Sequence, residues 1–507
     1  MMSDQRNPNH DQDPTGTPSK SVRLWADLDR KPGLFDQRSA LVLLVLVSAA
    51  CVSATGAVIA EPPLLAAAAV ERWVDASAPE GGDGTPRRAF KRLNDALAPN
   101  AVIHLRSGLY PGPWVLPPGS ALVGHGEVVL YAEGEGTVVT ASSASLEGLW
   151  VQGGFIGLRA IGPVSVRRVH FSGSRRVALE ASGILTLEDS LLEGTVSQTV
   201  GVQLTRGARA RLGRVRFLGA FARAVDAQGA QLDGEDLQSE GPAQALHLEN
   251  SRSQVRRLTA AGGSGPGIFV AEGALTLTDA TVNGHEFGLQ ARKAALTLVR
   301  FTSRRVQLAS IATVQCTGTF SDIQTEQSGT YGALQLLESD LKVKGVKVQH
   351  ARAIGILVRL GKVKLEDVTV DHIRAEGGSS ESGGDGLELR DAEVEVDNLI
   401  IRDAAGIGIF ATAGARVEVN RFSCERCRVG AVVCELGSTV SLKSMISKGG
   451  EGPAIAVLDR ASVKLEDADI TAVQVPIWAE CDQGARVTVT RLKSNLVLPP
   501  SGCIWRD

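Results

Sequence analysis

The chain has 507 residues with 56 Gly but only 12 Phe, 6 Trp and 3 Tyr, so small and β-branched side chains must fill most of any core, and an aromatic-centred globule is excluded. Its 53 Lys and Arg balance 56 Asp and Glu, so no overall basic field exists to attract nucleic acid. A hydrophobic content of 43% excludes wholesale disorder.

The N-terminal part of the chain predicts export. Residues 1–38 are polar and lack apolar periodicity, as is typical of a disordered leader. Residues 39–60 follow, and within them the run from Ala40 to Ala60 carries no charge and is about long enough to span the hydrocarbon core of a bilayer. A linker over 61–72 separates this run from the remainder of the chain.

Three interpretations of the apolar run remain open. It fits a signal peptide cleaved after Ala60, or an uncleaved membrane anchor. The stretch from Ser48 to Cys51 also resembles a bacterial lipoprotein box, with Cys51 as the lipidated residue, although such boxes prefer a larger apolar residue where Ser48 stands. Each interpretation places the rest of the chain outside the cytoplasm, either secreted or attached to a membrane of the cell envelope.

From residue 73 onward the chain is a repeat. Segments of the form Gly-h-x-h-x-x-Gly, where h is apolar, end at Gly207, Gly273, Gly361 and Gly414, and the step between such turns is about 22 residues. Apolar pairs with a period of two follow each turn, as in Val363 and Leu365, which predicts short strands. Three short strands cannot bury one face alone, so the units must stack. We expect an all-β solenoid of three parallel sheets with roughly 18 coils.

The opening of the repeat resembles a known superfamily. Trp73-Val74-Asp75 is followed by Gly82-Asp83-Gly84-Thr85-Pro86 and by the segments Ala89–Leu97, Ile103–Leu105 and Ser107–Tyr110. Together with the repeat over 73–507, these segments resemble the right-handed parallel β-helix proteins of the pectate-lyase-like superfamily, in a poorly characterised exported bacterial branch. The resemblance implies a single-stranded right-handed parallel β-helix.

A short amphipathic helix is predicted to cap the first coil. Phe90, Leu93 and Leu97 have the spacing of one helical face within about 86–97. An open stack of parallel strands needs such a cover, because unpaired edges promote aggregation.

One column of polar residues is the candidate catalytic site. His350, His372 and Asp403 occupy equivalent strand ends in successive coils, with Asp371 in the preceding column and Arg374 two residues beyond His372. Because adjacent strands lie ~4.8 Å apart, these groups can meet as an acid/base or divalent-metal site. The resemblance implies outward-facing catalytic side chains, and calcium if the protein is a lyase; otherwise no cofactor is expected. His and Asp at strand ends are equally typical of turns.

Two further groups are candidate ligand contacts. The longest insertion, over 375–386, carries Glu381 and Asp385 in a Gly/Ser-rich loop of the kind that often binds ligands. Trp150 aligns with His170 in the next coil and can stack on a sugar ring. Solvated surface decoration explains these residues as well.

Cysteine positions in the repeat suggest core packing. Cys316, Cys434 and Cys481 replace apolar core residues of other coils, whereas Cys424 and Cys427 suggest a disulfide or unreactive thiols. Cys503 makes the count of cysteines beyond Cys51 even, which is compatible with disulfides in an exported protein.

The sequence therefore favours an exported, membrane-associated β-helix that binds a polysaccharide or a cell-envelope partner without catalysis. The alternative is a lyase or glycoside hydrolase that acts on an acidic polysaccharide through Asp371, His372 and Asp403. We expect the protein to associate with the membrane through its N-terminal segment, and we expect no nucleic-acid partner.

Overall fold

The computed structural model describes residues 70–375, 383–494 and 502–506. In this part the chain is nearly all β and forms a parallel solenoid of about 18 turns, as predicted. The leader, the apolar run and Cys51 lie outside the described residues. No helix in the described part is long and apolar enough to cross a membrane.

The larger sheet contains 24 strands, and each pairs in parallel with the strand one coil further along. Its strands are Val70–Val74, Ala101–Pro111, Ala121–Ala132, Ala144–Glu147, Trp150–Gly153, Val164–Arg167, His170–Ser172, Ile184–Glu188, Leu191–Thr195, Arg209–Gly213, Arg216–Ala220, Gln231–Glu240, Arg252–Ala261, Ala274–Asn283, Ala295–Arg304, Thr317–Glu326, Asp340–Gln349, Lys362–Ile373, Glu393–Ala404, Arg416–Glu425, Thr439–Lys448, Ser462–Thr471, Arg486–Ser494 and Ile504–Arg506. The first strand begins at Val70, three residues before the predicted start of the repeat.

The second sheet is a parallel stack of shorter strands, one from each coil. Its strands are Trp114–Leu116, Thr137–Ala141, Ile156–Ala160, Val177–Ala181, Val200–Leu204, Arg223–Gln228, Gln244–Glu249, Ile268–Ala271, Phe287–Arg292, Ala309–Val314, Gly332–Leu337, Ile354–Arg359, Asp385–Arg390, Ile407–Thr412, Gly430–Cys434, Ile455–Val457 and Ile477–Ala479.

Two of the three predicted faces are joined by hydrogen bonds into the larger sheet. In the Ala274–Asn283 strand, Leu275 and Leu277 point inward, and so do Ala280 and Val282 after a bend at Asp279. Asp279 has φ 58°, and this left-handed residue lets one continuous strand serve two arms of the coil. We call the parts before and after this bend the first arm and the second arm.

Charged residues occupy this bend in many coils, although left-handed backbone usually favours glycine or asparagine. The positions read Arg168, Asp189, Arg214, Asp236, Arg257, Asp279 and Arg300, all with φ between 51° and 58°. Successive members form ion pairs: Arg214 Nη2 donates to Asp189 (3.0 Å), Arg257 Nη2 to Asp236 (3.0 Å) and Arg300 Nη2 to Asp279 (2.9 Å). We call this row the charge ladder. Its arginines are thus partly neutralised in place.

The core is a continuous apolar column between the sheets. Its largest fully buried side chains are Phe171, Phe217, Phe221, Phe301 and Phe320, and Val, Leu, Ile and Ala fill most of the remaining space. A narrow solenoid leaves room for few aromatic rings in each coil, which explains the composition.

The helix near the start of the repeat is shorter than predicted. It is a single turn, Leu93–Ala96, with both terminal side chains buried. Phe90 is not helical, because its backbone forms a parallel bridge with Val74. The amphipathic helix over 86–97 is therefore not found, and its capping role stays a prediction.

Two disulfides tie the C-terminal half. One joins Cys424 to Cys427, and the other joins Cys481 to Cys503 across a sequence separation of 22. Cys481 is thus wrongly predicted as a core residue, because the chain turns into a short 3₁₀ helix, Cys481–Gln483, where other coils continue as strand. Cys316 and Cys434 are free and buried, as predicted. Disulfides of this kind persist in oxidising compartments, which fits export.

Candidate functional site

The predicted catalytic column lies where the second arm ends. His350, His372, Asp403 and Arg426 all adopt left-handed backbone, with φ between 53° and 57°. Each therefore makes the sharp corner that leads toward the second sheet, so these residues have a structural duty whatever else they do. We call these four residues the histidine corner.

The side chains of the histidine corner lie close together. The rings of His350 and His372 have their centroids 5.0 Å apart. His372 Nδ1 lies 2.9 Å from Oδ1 of Asp371, and its Nε2 lies 3.7 Å from Oδ2 of Asp403. The contact between His372 Nδ1 and Asp371 Oδ1 is close enough for an ion pair, but the two groups are not aligned for a hydrogen bond. Asp371 Oδ1 is buried and has no hydrogen-bond partner among the described residues.

Arg426 controls the charge of Asp403. It donates from Nε and Nη2 to the two carboxylate oxygens, at 2.6 and 2.9 Å. These hydrogen bonds lower the pKa of Asp403 from its ordinary value, although burial opposes this shift. A carboxylate held in its charged form can orient an imidazole but is a poor proton donor.

The donor set does not fit calcium. One ligand atom each from Asp371, His372 and Asp403 lie within 4.8 Å of one another. Calcium takes six to eight oxygen ligands. Here a histidine nitrogen contributes one of three atoms, and both oxygens of Asp403 already accept from Arg426. No step of a reaction is therefore assigned to a metal at this corner.

Arg374 belongs to a groove beside the histidine corner. The backbone of Arg374 forms a parallel bridge with Arg352 of the preceding coil. A groove of about 650 Å³ is lined by Arg305, Gln327, His350, Arg352 and Arg374, together with Val306, Gln307, Ser328 and Gly329. We call it the arginine groove.

Within the described part of the chain, the three guanidinium groups of the arginine groove have no acidic partner. Among the described residues, no carboxylate oxygen lies within 4.0 Å of Arg305, Arg352 or Arg374, whereas Arg428, which continues the same column, binds Glu451 at 3.0 Å. The Arg305 side chain donates from Nε to the amide oxygen of Asn283, at 3.1 Å. The groove therefore presents uncompensated positive charge.

Sequence reasoning did not select Arg305 and Arg352 as site residues. Arg352 shares its column with Arg374, and that alignment was the available signal. Arg305 stands in the column of His350, two coils earlier, with Gln327 between them, but polar residues at strand ends do not distinguish a binding site from ordinary corners.

A one-residue insertion shapes one side of the groove. The coil that contains Gln327 uses one residue more between Glu326 and Gly332 than the next coil uses between Gln349 and Ile354. The extra length projects Tyr331, which is 50% exposed and lies beside Phe287 with ring centroids 6.5 Å apart. An aromatic side chain thus stands two residues beyond the groove-lining Gly329.

Of the two loop residues predicted to bind a ligand, Glu381 lies outside the described residues and Asp385 is buried. Asp385 is only 7% exposed, and its Oδ1 accepts a 2.7 Å hydrogen bond from the backbone N–H of Ile407. Burial raises its pKa to about 7, although the hydrogen bond from Ile407 opposes this shift. This placement corrects the expectation of an exposed contact, because Asp385 begins a strand instead of belonging to the loop.

The Trp150 and His170 pair is found as predicted from their alignment. The two residues are paired across neighbouring strands of the second arm, and their ring centroids are 4.4 Å apart at an interplanar angle of 57°. They lie many coils before the arginine groove and form a separate surface.

Comparison with known proteins agrees with the fold. Residues 332–491 match a family model described as "Right handed beta helix region". No curated protein sequence matches the chain. This match agrees with the parallel β-solenoid that the structure shows over these residues.

Similar solved structures are distant. A pectin methylesterase from Erwinia chrysanthemi is 12% identical, over 49% of this chain and 91% of that chain, with a TM-score of 0.28. A periplasmic alginate epimerase is 8% identical, over 84% of each chain, with a TM-score of 0.24. A tailspike protein of an Escherichia coli bacteriophage, solved with a hexasaccharide, is 9% identical over 83% of this chain and 80% of that chain, with a TM-score of 0.28. Because these sequence identities and TM-scores are low, the activities of these proteins are not assigned to this chain.

Proposed function

We propose that the protein is an exported β-helix that binds an anionic polysaccharide in the arginine groove without cleaving it. The observation that carries this proposal is the uncompensated charge of Arg305, Arg352 and Arg374 in one groove. Planar guanidinium groups bind carboxylate, sulfate and phosphate groups through paired hydrogen bonds. The disulfides support a location outside the cytoplasm.

The geometry of the groove suits a polymer. Arg352 and Arg374 belong to adjacent coils, so their backbones are ~4.8 Å apart along the solenoid axis. Arg305 lies two coils before Arg352, in the neighbouring column of His350, and adds a third positive charge to the groove. Anionic groups repeated along a chain can contact several of these residues at once, and such multiple contacts raise the affinity above that of one contact.

Binding of polygalacturonate to the purified protein tests the proposal. We expect the double variant Arg352→Ala/Arg374→Ala to lose at least tenfold in affinity, because each charge-assisted hydrogen bond contributes about 1.5–3 kcal/mol. Arg359→Ala is the matched control, since Arg359 is also exposed but stands at the last position of the Ile354–Arg359 strand and does not line the groove. Raising the salt concentration should weaken binding further. Equal affinity of the double variant and the wild type would contradict the proposal.

A second candidate function is polysaccharide cleavage at the histidine corner. It is favoured by the contacts of His372 with Asp371 and Asp403, since a general base needs an orienting partner. The same polygalacturonate incubation distinguishes the two functions. Release of unsaturated or reducing ends that is lost in His372→Ala supports cleavage, whereas binding without new chain ends supports a binding protein.

A further inference from the structure

The early coils carry a second candidate surface, distinct from the arginine groove. On the outer face of the second arm, Trp150 aligns with His170 in the next coil, and Tyr131 aligns with Gln152. Trp150 is 42% exposed, and Gln152 is exposed beside it. We call Tyr131, Trp150, Gln152, His170 and Glu193 the aromatic platform.

The indole ring of Trp150 is held in place by its neighbour. The His170 ring packs against it at 4.4 Å in a tilted arrangement, which is a favourable aromatic geometry. His170 Nε2 lies 3.0 Å from Oε2 of Glu193, whose side chain is 43% exposed, but the two atoms are not aligned for a hydrogen bond, and Nε2 is buried without a hydrogen-bond partner in the described part of the chain. A half-exposed ring with a fixed orientation costs little conformational entropy when a ligand packs on it.

Polar groups surround the ring at the positions where a ligand would need them. Gln152, Ser172 and Glu193 occupy one outward column in three successive coils. An amide, a hydroxyl and a carboxylate can exchange hydrogen bonds with hydroxyl groups. Farther along the same arm the column of Trp150 continues with Leu191, Arg216 and Gln238, which offer no further ring.

The edge of the platform is open. The strand that carries Trp150 ends at Gly153, and the strand that carries His170 ends at Ser172, directly before Gly173; the two glycines have φ 79° and 68°. These two corner residues therefore place no side chain of their own over the indole ring. On the other side, Arg168 is paired with Glu147, so the adjacent corner adds little net charge.

We propose that the aromatic platform binds a neutral glycan, with a pyranose ring stacked on Trp150 and its hydroxyl groups bonded to Gln152 and Glu193. A flat apolar ring face beside hydrogen-bonding groups matches the two surfaces of a sugar. The exposed carboxylate of Glu193 disfavours anionic sugars, because like charges repel. The platform therefore takes a different class of ligand from the arginine groove.

Titration of the full-length protein with cellohexaose, laminarihexaose and maltohexaose, followed by tryptophan fluorescence, tests this proposal. We expect at least one of the three oligosaccharides to bind the wild type and to change its tryptophan fluorescence. In Trp150→Ala this fluorescence change should be absent, and the affinity for the same oligosaccharide should be about tenfold lower. Trp478→Ala is the matched control, because Trp478 is 44% exposed but lies on the second sheet near the C-terminal end. It should leave the affinity unchanged.

A second variant protects the test against misfolding. Gln152→Ala changes an exposed side chain, so it should keep the wild-type Tm and still weaken binding about threefold. The proposal is overturned if none of the three oligosaccharides binds to the wild type, if Trp150→Ala and Trp478→Ala behave alike, or if galacturonic acid oligomers bind at Trp150 in their place. Polygalacturonate binding in the arginine groove is independent of all these outcomes.

Discussion

His372 and Asp403 lie one coil apart, and Nε2 of the imidazole is 3.7 Å from the carboxylate that Arg426 holds with two hydrogen bonds. The carboxylate therefore has two cationic neighbours whenever His372 is protonated. Such an arrangement stabilises a corner of the solenoid. It also explains why an Asp in left-handed backbone is tolerated where a glycine would be less strained.

Arg426→Ala should reduce stability most at neutral pH. Arg426 lowers the pKa of Asp403 in the folded chain, so the stability from this pair is present above the ordinary pKa of the carboxyl and is lost as the pH falls through the lowered pKa. We expect the variant to lower the Tm by roughly 1 °C at pH 7 and to match the wild type near pH 3. Thermal melts between pH 3 and pH 8 measure this. A gap in Tm that grows toward acid pH would contradict the assignment.

The stability change caused by Asp385→Asn should depend on pH in the opposite sense to the change caused by Arg426→Ala. Burial raises the pKa of Asp385 to about 7, so the folded chain holds this proton more tightly than the unfolded chain. The stability that results is fully present below the unfolded pKa of 3.8 and is lost as the pH rises through about 7. Asparagine has no proton to lose and keeps an acceptor for Ile407. We expect Asp385→Asn to raise the free energy of unfolding, compared with the wild type, by on the order of 3 kcal/mol more at pH 8 than at pH 4.

Chemical denaturation of Asp385→Asn and the wild type at these two pH values checks this prediction. Asp391→Asn is the matched control for the exchange of a carboxyl for an amide, since Asp391 is exposed and directly follows the Asp385–Arg390 strand. Equal pH profiles of Asp385→Asn and the wild type would show that the buried carboxyl keeps an ordinary pKa.

Removal of the Cys481–Cys503 disulfide should loosen the C-terminal coil. The bond closes a loop across a sequence separation of 22, for which the loss of unfolded-state entropy is worth roughly 3 kcal/mol. The Cys481→Ser/Cys503→Ser variant should therefore exchange amide hydrogens faster in the Ile504–Arg506 strand, which pairs only with Val487–Val489. Exchange in the Phe287–Arg292 strand should stay unchanged. Unaltered exchange at both places would mean that strand pairing alone holds this end.

The two free cysteines should resist alkylation in the folded protein. Burial raises the pKa of Cys434 to about 12 and also raises the pKa of Cys316. Both thiols are therefore inaccessible and almost entirely protonated at pH 8. Mass spectrometry after iodoacetamide treatment should find neither residue modified until denaturant is added. Rapid labelling of Cys434 in the native protein would contradict its core position.

The fold was predictable because its signal repeats. Pairs such as Leu275 and Leu277 recur in each coil with the same spacing, so errors in one coil do not change the inferred period. The number of separate sheets was harder to predict from the sequence. Whether Asp279 interrupts a strand or only bends it depends on its left-handed backbone angle, which the apolar spacing of the sequence does not show.

The candidate site was predictable only where alignment between coils decides contact. His350, His372 and Asp403 share one column, so their proximity followed from the repeat length. The burial of Asp385 did not follow, because the insertion before it conceals where the next strand begins. The pairing of Cys481 with Cys503 required knowledge of how the last coil departs from the repeat.

Because Arg and Asp alternate along the charge ladder, insertions and deletions of coils preserve the ion pairs only when two coils are gained or lost together. Deleting the coil that carries Asp236 would set Arg214 against Arg257, and duplicating it would set two aspartates side by side. Deleting two coils restores the alternation of charge. Changes in length along this part of the chain are therefore expected in steps of about 44 residues, since one coil takes about 22.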